Sequence, residues 1–116
     1  MKINEIIKLL DAEVYSGKSQ LDSEIKSGCG CDMMSDVLAF VKDHSVLLTG
    51  LVNPQVIRTA EMMDIVCVVL VRGKRPTLEM ISLAEERNIV LLSTGERMFG
   101  ACGILYSAGL ESGGRV

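Results

Sequence analysis

Three apolar runs decide the fold of this chain: VLLTG at 46–50, VCVVLVRG at 66–73 and IVLLSTG at 89–95. Each run is rich in valine, isoleucine or leucine, ends in small or polar residues, and is followed by a stretch with helical spacing. That succession is typical of βα units, in which helices connect parallel strands. The second half of the sequence therefore predicts an α/β fold with a mostly parallel sheet.

The length and composition predict one domain with an aliphatic core. The chain has 116 residues, of which 48% are hydrophobic and only 3% aromatic. A chain of this length can bury a core of its own, and it is too short for two ordinary domains. We expect a single layered α/β domain over residues 1–110. The tail at 111–116, ESGGRV, has no apolar spacing and is expected to fray.

The charge pattern disfavours two classes of partner. The chain has fifteen acidic and twelve basic residues, which gives a net charge of −3, and the basic residues are scattered along the sequence. Without a basic patch or aromatic platforms, nucleic acid is a poor candidate partner. The apolar runs are shorter than the ~20 residues that cross a membrane, and the start, MKINEIIKLL, is unlike a signal peptide. We therefore expect a cytoplasmic protein whose four cysteines are reduced.

The first half of the chain predicts two helices around an extended segment. Helical spacing at the start predicts a helix over residues 2–11, with an apolar face of Ile3, Ile6, Ile7 and Leu10. Residues 12–28 lack helical spacing and contain a Gly-Lys-Ser turn, which predicts a strand, a turn and a second strand. A second helix is predicted from about Met34 to about His44, with Asp32 or Ser35 as its N-cap.

The second half predicts three more helices. Asn53 and Pro54 have the residue types favoured at the N-cap and first position of a helix. The next predicted helix follows the strand at about 65–71 and turns Leu78, Ile81 and Ala84 inward. Ser93 and Glu96 have the spacing of a capping box. The last predicted helix is lined by Met98, Phe99, Cys102, Leu105 and Tyr106.

Polar residues follow each predicted strand, where ligands commonly bind in open α/β sheets. A crevice is expected there if the strand order reverses, because crossovers are right-handed. Hydroxyls, backbone amides and cations at this edge suit an anionic or nucleotide-like ligand, although helix caps and turns use the same residue types. The ligand-binding candidates are Thr49, Gly50, Asn53, Arg72, Gly73, Ser93 and Thr94, with Lys74 and Gly95 beside them.

Two local motifs suggest other chemistry. Gly17-Lys18-Ser19 resembles the end of a phosphate-binding P-loop, but the first glycine of that motif would fall on Ala12, and no helix pattern follows. We interpret it as a turn. Cys29 and Cys31 are candidates for a metal or redox site, yet their spacing lacks the usual C-x₂-C form and a second pair. Cys67 and Cys102 have the settings of small core residues.

No catalytic set is evident in the sequence. His44 is the only histidine, and its position near a helix end is favourable for a side chain that can carry positive charge. No nucleophile–histidine–carboxylate arrangement can be assembled around it. We therefore predict no catalytic residues and no cofactor.

Residues 31–76 and the stretch IVLLSTGERMFGACGIL at 89–105 resemble the DRTGG domain family. The resemblance implies a layered α/β fold like that of the N-terminal domain of HPr kinase/phosphorylase, and an accessory role in oligomerisation or regulation. The residues that name the family, Asp-Arg and Thr-Gly-Gly, fall at Val52-Asn53 and Val71-Arg72-Gly73, where only Gly73 agrees. The resemblance therefore implies the fold and leaves the ligand open.

Together these observations predict a non-catalytic regulatory or oligomerisation module of a bacterial or archaeal cytosol. A homodimer is favoured, because closed two-fold oligomers are the commonest kind, and an unidentified protein partner is expected. An alternative is a sensor that binds a nucleotide or phosphorylated metabolite at the strand ends. A further alternative is a redox or metal partner that uses Cys29 and Cys31.

Overall fold

The computed structural model describes residues 1–42 and 44–114. Its helices are α1 Ile3–Leu10, α2 Met34–Phe40, α3 Pro54–Met62, α4 Leu78–Glu86 and α5 Met98–Ser107. Its strands are β1 Glu13–Ser16, β2 Ser27–Gly30, β3 Ser45–Thr49, β4 Cys67–Leu70 and β5 Val90–Ser93, and a 3₁₀ turn spans Lys18–Gln20. No helix in these residues is both long and apolar enough to span a membrane.

The strands form one mostly parallel sheet in the order β1-β5-β4-β3-β2. Strands β2 to β5 are parallel, and β1 pairs antiparallel with β5. The predicted α/β class is therefore confirmed. The four parallel strands follow one another in chain order, so the reversal that would create a crevice between them is missing from this sheet.

Helices cover both faces of the sheet. Leu47, Val68 and Leu91 pack in a cluster with α2, α3 and α4, whereas Val46 and Val69 pack in a second cluster with α1 and α5. Because alternate residues of each parallel strand are buried on opposite faces, the strands are continuous apolar runs. Right-handed crossovers between strands in sequential order place α2, α3 and α4 on the same face.

The predicted starts of two helices have different outcomes. The Asn53 side chain accepts a hydrogen bond from the Gln55 backbone N–H at 2.8 Å and Pro54 is the first residue of α3, as predicted. The capping box of Ser93 and Glu96 is wrong. Ser93 Oγ donates to the Lys74 carbonyl at 2.6 Å, and α5 begins only at Met98.

The first two strands exist, but they are not neighbours. Strand β1 pairs with β5 at one edge of the sheet, and β2 pairs with β3 at the other. The chain crosses between the edges through the 3₁₀ turn and an isolated bridge between Lys2 and Glu24. Helix α1 buries its predicted face, with Ile3, Ile6 and Leu10 fully covered and Ile7 partly buried.

Several predicted orientations and ends are wrong. Leu78, predicted inward, is 83% exposed, because α4 buries Met80 together with Ala84, which is buried as predicted. Helix α2 ends at Phe40, well before His44, and its N-cap is Met33, with neither Asp32 nor Ser35 in that position.

In the tail, the Glu111 carbonyl accepts a hydrogen bond from the Gly28 N–H at 2.9 Å, so fraying does not begin at residue 111. Residues 115 and 116 lie outside the described residues.

Candidate functional site

The carboxyl ends of the parallel strands bring most of the predicted site residues to one edge of the sheet. Thr49 pairs with Leu70, and Leu70 pairs with Ser93, so the three following loops start side by side. The Val71 N–H donates to the Thr49 carbonyl at 3.0 Å, and the Thr94 N–H donates to the Leu70 carbonyl at 2.9 Å. These hydrogen bonds continue the ladder past the strands and hold the loops in fixed register.

Asp32 connects the loop after β2 to the loop after β3. Its Oδ1 accepts hydrogen bonds from Thr49 Oγ1 at 2.9 Å and from the Gly50 N–H at 2.7 Å. The Arg72 guanidinium lies against Gly50, where it would collide with any Cβ. Asp32, which the sequence suggested as a helix cap, therefore connects two loops. Its partners lie seventeen and eighteen positions away, so neighbouring residues in the sequence cannot predict this interaction.

The environment of Asp32 lowers its pKa. The main cause is the hydrogen bond from the Gly50 N–H, with help from the Thr49 hydroxyl and the positive charge of Arg72, while partial burial opposes them. All three favourable contacts stabilise the ionised carboxylate. The folded protein therefore binds a proton at Asp32 less readily than the unfolded chain does.

Replacing Asp32 with alanine is expected to destabilise the protein at neutral pH and much less in acid. Because the pKa in the folded state lies below its usual value of 3.8, the stabilisation by the carboxylate is complete above that pH. It is lost as the pH falls through the folded-state pKa. Urea unfolding of both proteins between neutral and acidic pH measures the difference. A difference in stability that stays constant across this range would contradict the assignment.

The other hydroxyl and amide candidates at the edge are occupied by internal contacts. Thr94 Oγ1 donates to the Leu10 carbonyl at 2.6 Å, and the Gly73 N–H donates to the Thr94 carbonyl at 2.9 Å. The hydroxyl of Ser93 and the amide of Asn53 have the partners described above. Arg72 and Gly73 both have left-handed backbones, with φ of 62° and 68°, which the glycine adopts without steric cost.

Two arginines remain open to solvent at this edge. Arg72 and Arg97 line an open cleft of about 550 Å³ between the loop after β4 and the start of α5. Gly95, Met98 and Phe99 form the rest of its lining. The Arg72 N–H donates to the Glu96 carbonyl at 2.7 Å, which ties the two walls of the cleft together. Sequence reasoning missed Arg97 and Phe99, because nothing local shows that they face Arg72.

A second, apolar groove lies between α5 and the edge strand β2. Its volume is about 330 Å³. Gly30 has no room for a side chain, since a Cβ there would lie 2.6 Å from Cys102 Sγ, so the helix packs closely on the strand. The groove is lined by Gly28, Cys29, Gly30, Leu48, Phe99, Cys102, Gly103, Leu105, Tyr106, Leu110, Glu111 and Ser112.

Helix α5 exposes two aromatic side chains beside this groove. Phe99 is 92% exposed and Tyr106 is 71% exposed, although the sequence placed both among the apolar residues of the last helix. The helix buries Ala101 and Leu105 on its other side, so it is apolar almost all the way round. Two large aromatic side chains are therefore exposed on one helix beside an apolar groove.

The cysteines do not assemble into a site. Among the described residues, no three histidine, cysteine, aspartate or glutamate side chains are placed to hold a metal ion. Burial raises the pKa of the Cys29 and Cys102 thiols, and the raised pKa disfavours the thiolate that binds metals or reacts. The fully buried Cys67 has its pKa raised to about 12 by burial alone. The geometry thus gives no support to the metal or redox alternative.

The model of the DRTGG domain family matches residues 5–108. The chain belongs to the DRTGG domain family. The predicted resemblance is therefore confirmed. No curated protein matches this DRTGG domain by sequence.

A solved structure supports the fold of this DRTGG domain. It is the crystal structure of the CBS and DRTGG domains of the regulatory region of Clostridium perfringens pyrophosphatase, complexed with its activator, diadenosine tetraphosphate. The likeness has a TM-score of 0.79 at 17% sequence identity, and it covers 97% of this chain. This chain spans 48% of the length of that neighbour, so the match establishes a shared fold.

Proposed function

We propose that this DRTGG domain is a non-catalytic regulatory module that acts by associating with a second copy of itself. The observation that carries the proposal is the exposed apolar surface of α5, with Phe99 and Tyr106 beside the apolar groove. We call this surface, formed by Phe99, Gly103 and Tyr106 of α5 together with the edge strand β2, the association face. The regulatory part is supported by the pyrophosphatase neighbour, where the related fold lies in a regulatory region.

The chemistry of the association face favours a copy of the same chain. Residues 99, 103 and 106 lie on one side of the helix, and a two-fold axis would bring each such helix against its equivalent. Gly103 at the centre is exposed and has no side chain, so two helices can approach closely. The single charged residue in the groove lining is Glu111. Two copies of this face would therefore meet with little charge repulsion.

The size of the association face fits a reversible dimer. Two exposed aromatic side chains contribute roughly 300 Å² of apolar area per protomer. A standard interface buries about 800 Å² on each partner, and the groove walls and the surface around them would supply the rest. Aromatic residues at the centre of an interface commonly dominate its energy. We therefore expect association in the micromolar range.

Two features of the described residues support a non-catalytic role. His44, the only histidine of the chain, precedes β3 and lies at the opposite end of that strand from the Asp32 and Arg72 cluster. The Gly17-Lys18-Ser19 motif leads from β1 into the 3₁₀ turn and does not start an α-helix, so it lacks the helix that a P-loop directs at phosphate.

A second candidate function is a small-ligand sensor at the strand ends. The cleft lined by Arg72 and Arg97 favours it, because two exposed guanidinium groups are the usual partners of phosphate. The pyrophosphatase neighbour is complexed with a nucleotide activator, although this chain corresponds to about half of that structure's length. The two functions share one residue, because Phe99 belongs to the association face and also lines the cleft.

Sedimentation velocity over a wide range of protein concentration tests the self-association. From about 1 µM to about 1 mM, which brackets micromolar dissociation constants, the weight-average mass should rise from 12.6 kDa towards twice that value. A mass that stays at one chain throughout this range would overturn the proposal. The same measurement with the association-face variant described in the Discussion locates the contact.

A further inference from the structure

We infer that the cleft between Arg72 and Arg97 binds the polyphosphate chain of a nucleotide, and that this binding competes with self-association. The binding half of the inference deepens the sensor candidate and stands without a dimer. The competition half rests on the proposed association face. Both halves follow from the lining of the cleft by two cations and one exposed aromatic ring.

The cations of the cleft are available to an anion. Arg97 precedes α5 and makes no side-chain capping bond with it, and Arg72 extends from a loop whose backbone is fixed to Glu96. No carboxylate of the described residues forms an ion pair with either guanidinium. The chain as a whole carries a net charge of −3, whereas the described lining of the cleft contains two arginines and no carboxylate. Bidentate contacts from two arginines match successive phosphate groups.

Two acidic residues, Asp32 and Glu96, lie near the arginines but outside the lining of the cleft, and they limit its affinity for an anion. The charge of Arg72 acts on Asp32, whose pKa it helps to lower. The Glu96 carboxylate lies close to Gly100 in the first turn of α5, with Oε2 3.2 Å from the position of a Cβ on that glycine. A bound phosphate would be repelled by this carboxylate, so the neutral Glu96→Gln variant should bind a polyphosphate more tightly than the wild type does.

Phe99 supplies the feature that favours a nucleotide over a simple phosphate. Its ring is 92% exposed and borders the same cleft as the two arginines. Any nucleobase can stack on an exposed aromatic ring, because every base has a flat π-face, and such stacking contributes measurably to affinity. A base on Phe99 would cover the ring that the association face needs, and therefore one ring cannot serve both contacts at once.

The binding half is tested by isothermal titration with two probes, ATP and inorganic tripolyphosphate, both without divalent metal. Arg97→Ala should weaken the binding of both probes at least tenfold, since it removes one of two phosphate contacts. Arg58→Ala is the matched control, because Arg58 is an exposed arginine of α3 that lies away from the cleft and its loss changes the net charge equally. Equal affinities for these two variants, or the lack of ATP binding to the wild type, would overturn the site.

Comparison of the probes tests the role of Phe99. ATP should bind more tightly than tripolyphosphate, and Phe99→Ala should weaken ATP binding while leaving the affinity for tripolyphosphate unchanged. Equal affinities of the wild type for the two probes would overturn the assignment of the base to Phe99.

The competition half is tested by repeating the sedimentation experiment with saturating ATP. The dimer dissociation constant should rise on adding ATP, and by linkage the apparent affinity for ATP should fall as the protein concentration rises. Association that ATP leaves unchanged or strengthens would contradict the competition. If the protein is monomeric at every concentration, the self-association proposal fails. The ATP titrations of Arg97→Ala and Arg58→Ala then still test the binding site, because they do not require a dimer.

Discussion

A Phe99→Glu variant should remain monomeric at concentrations where the wild type is largely dimeric. The substitution removes the largest exposed apolar group of the association face and places a carboxylate near its own copy across the two-fold axis. Loss of a central aromatic residue commonly costs 2 kcal/mol or more, and here both protomers lose it. We therefore expect the dimer dissociation constant to rise by about 100-fold or more. Sedimentation velocity measures this change directly.

Leu78→Glu is the matched control for that experiment. Leu78 is 83% exposed and lies on α4, which packs on the opposite face of the sheet from α5. The substitution makes the same change in charge on a comparably exposed apolar residue. If Leu78→Glu associates as tightly as the wild type while Phe99→Glu does not associate, the contact lies on α5. Equal weakening by the two variants would contradict the proposed association face.

A Gly17→Ala variant should be among the most destabilising loop substitutions of this protein. Gly17 has a φ of +80°, and a Cβ there would lie 2.6 Å from Val90 Cγ2 and 2.8 Å from Val90 Cα. Val90 belongs to β5, which is paired with β1 on one side and β4 on the other, so its backbone cannot move away as a flexible side chain can. Left-handed strain and overpacking together are expected to cost about 3 kcal/mol. The midpoint of thermal unfolding should then fall by on the order of 10 °C.

Gly73→Ala separates the collision from the backbone strain. Gly73 has a similar φ of +68°, but a Cβ there would meet nothing within 4 Å. This variant should therefore lose only about 1 kcal/mol, the cost of the left-handed conformation for a residue with a Cβ. Calorimetry or urea unfolding of both variants gives the comparison. If Gly17→Ala is no less stable than Gly73→Ala, the close packing of Gly17 on Val90 is wrong.

The elements that the sequence predicts well are those whose signals are local. The three runs containing Leu47, Val68 and Leu91 are apolar throughout because both faces of each strand are buried. This pattern can be recognised from the sequence alone. The cap formed by Asn53 and Pro54 is likewise a property of neighbouring residues. Family resemblance added the module type, which the physical pattern alone does not contain.

The parts that the sequence does not predict depend on distant contacts. Helix α5 is apolar on all sides, so its spacing does not reveal that Phe99 and Tyr106 point outward. The pairing of β1 with β5 places it at the far edge from β2, and nothing in residues 12–28 specifies that partner. The bond from Thr49 to Asp32 and the meeting of Arg72 with Arg97 arise only when separate loops converge.

Isotope-filtered nuclear Overhauser spectroscopy on an equimolar mixture of labelled and unlabelled chains tests the central claim most directly, because it detects contacts between copies only. The account predicts signals between protomers from the Phe99 and Tyr106 rings to the same helix of the partner. Signals between protomers that involve Leu78 or Met62, both exposed on the opposite face, with none from the α5 rings, would contradict it.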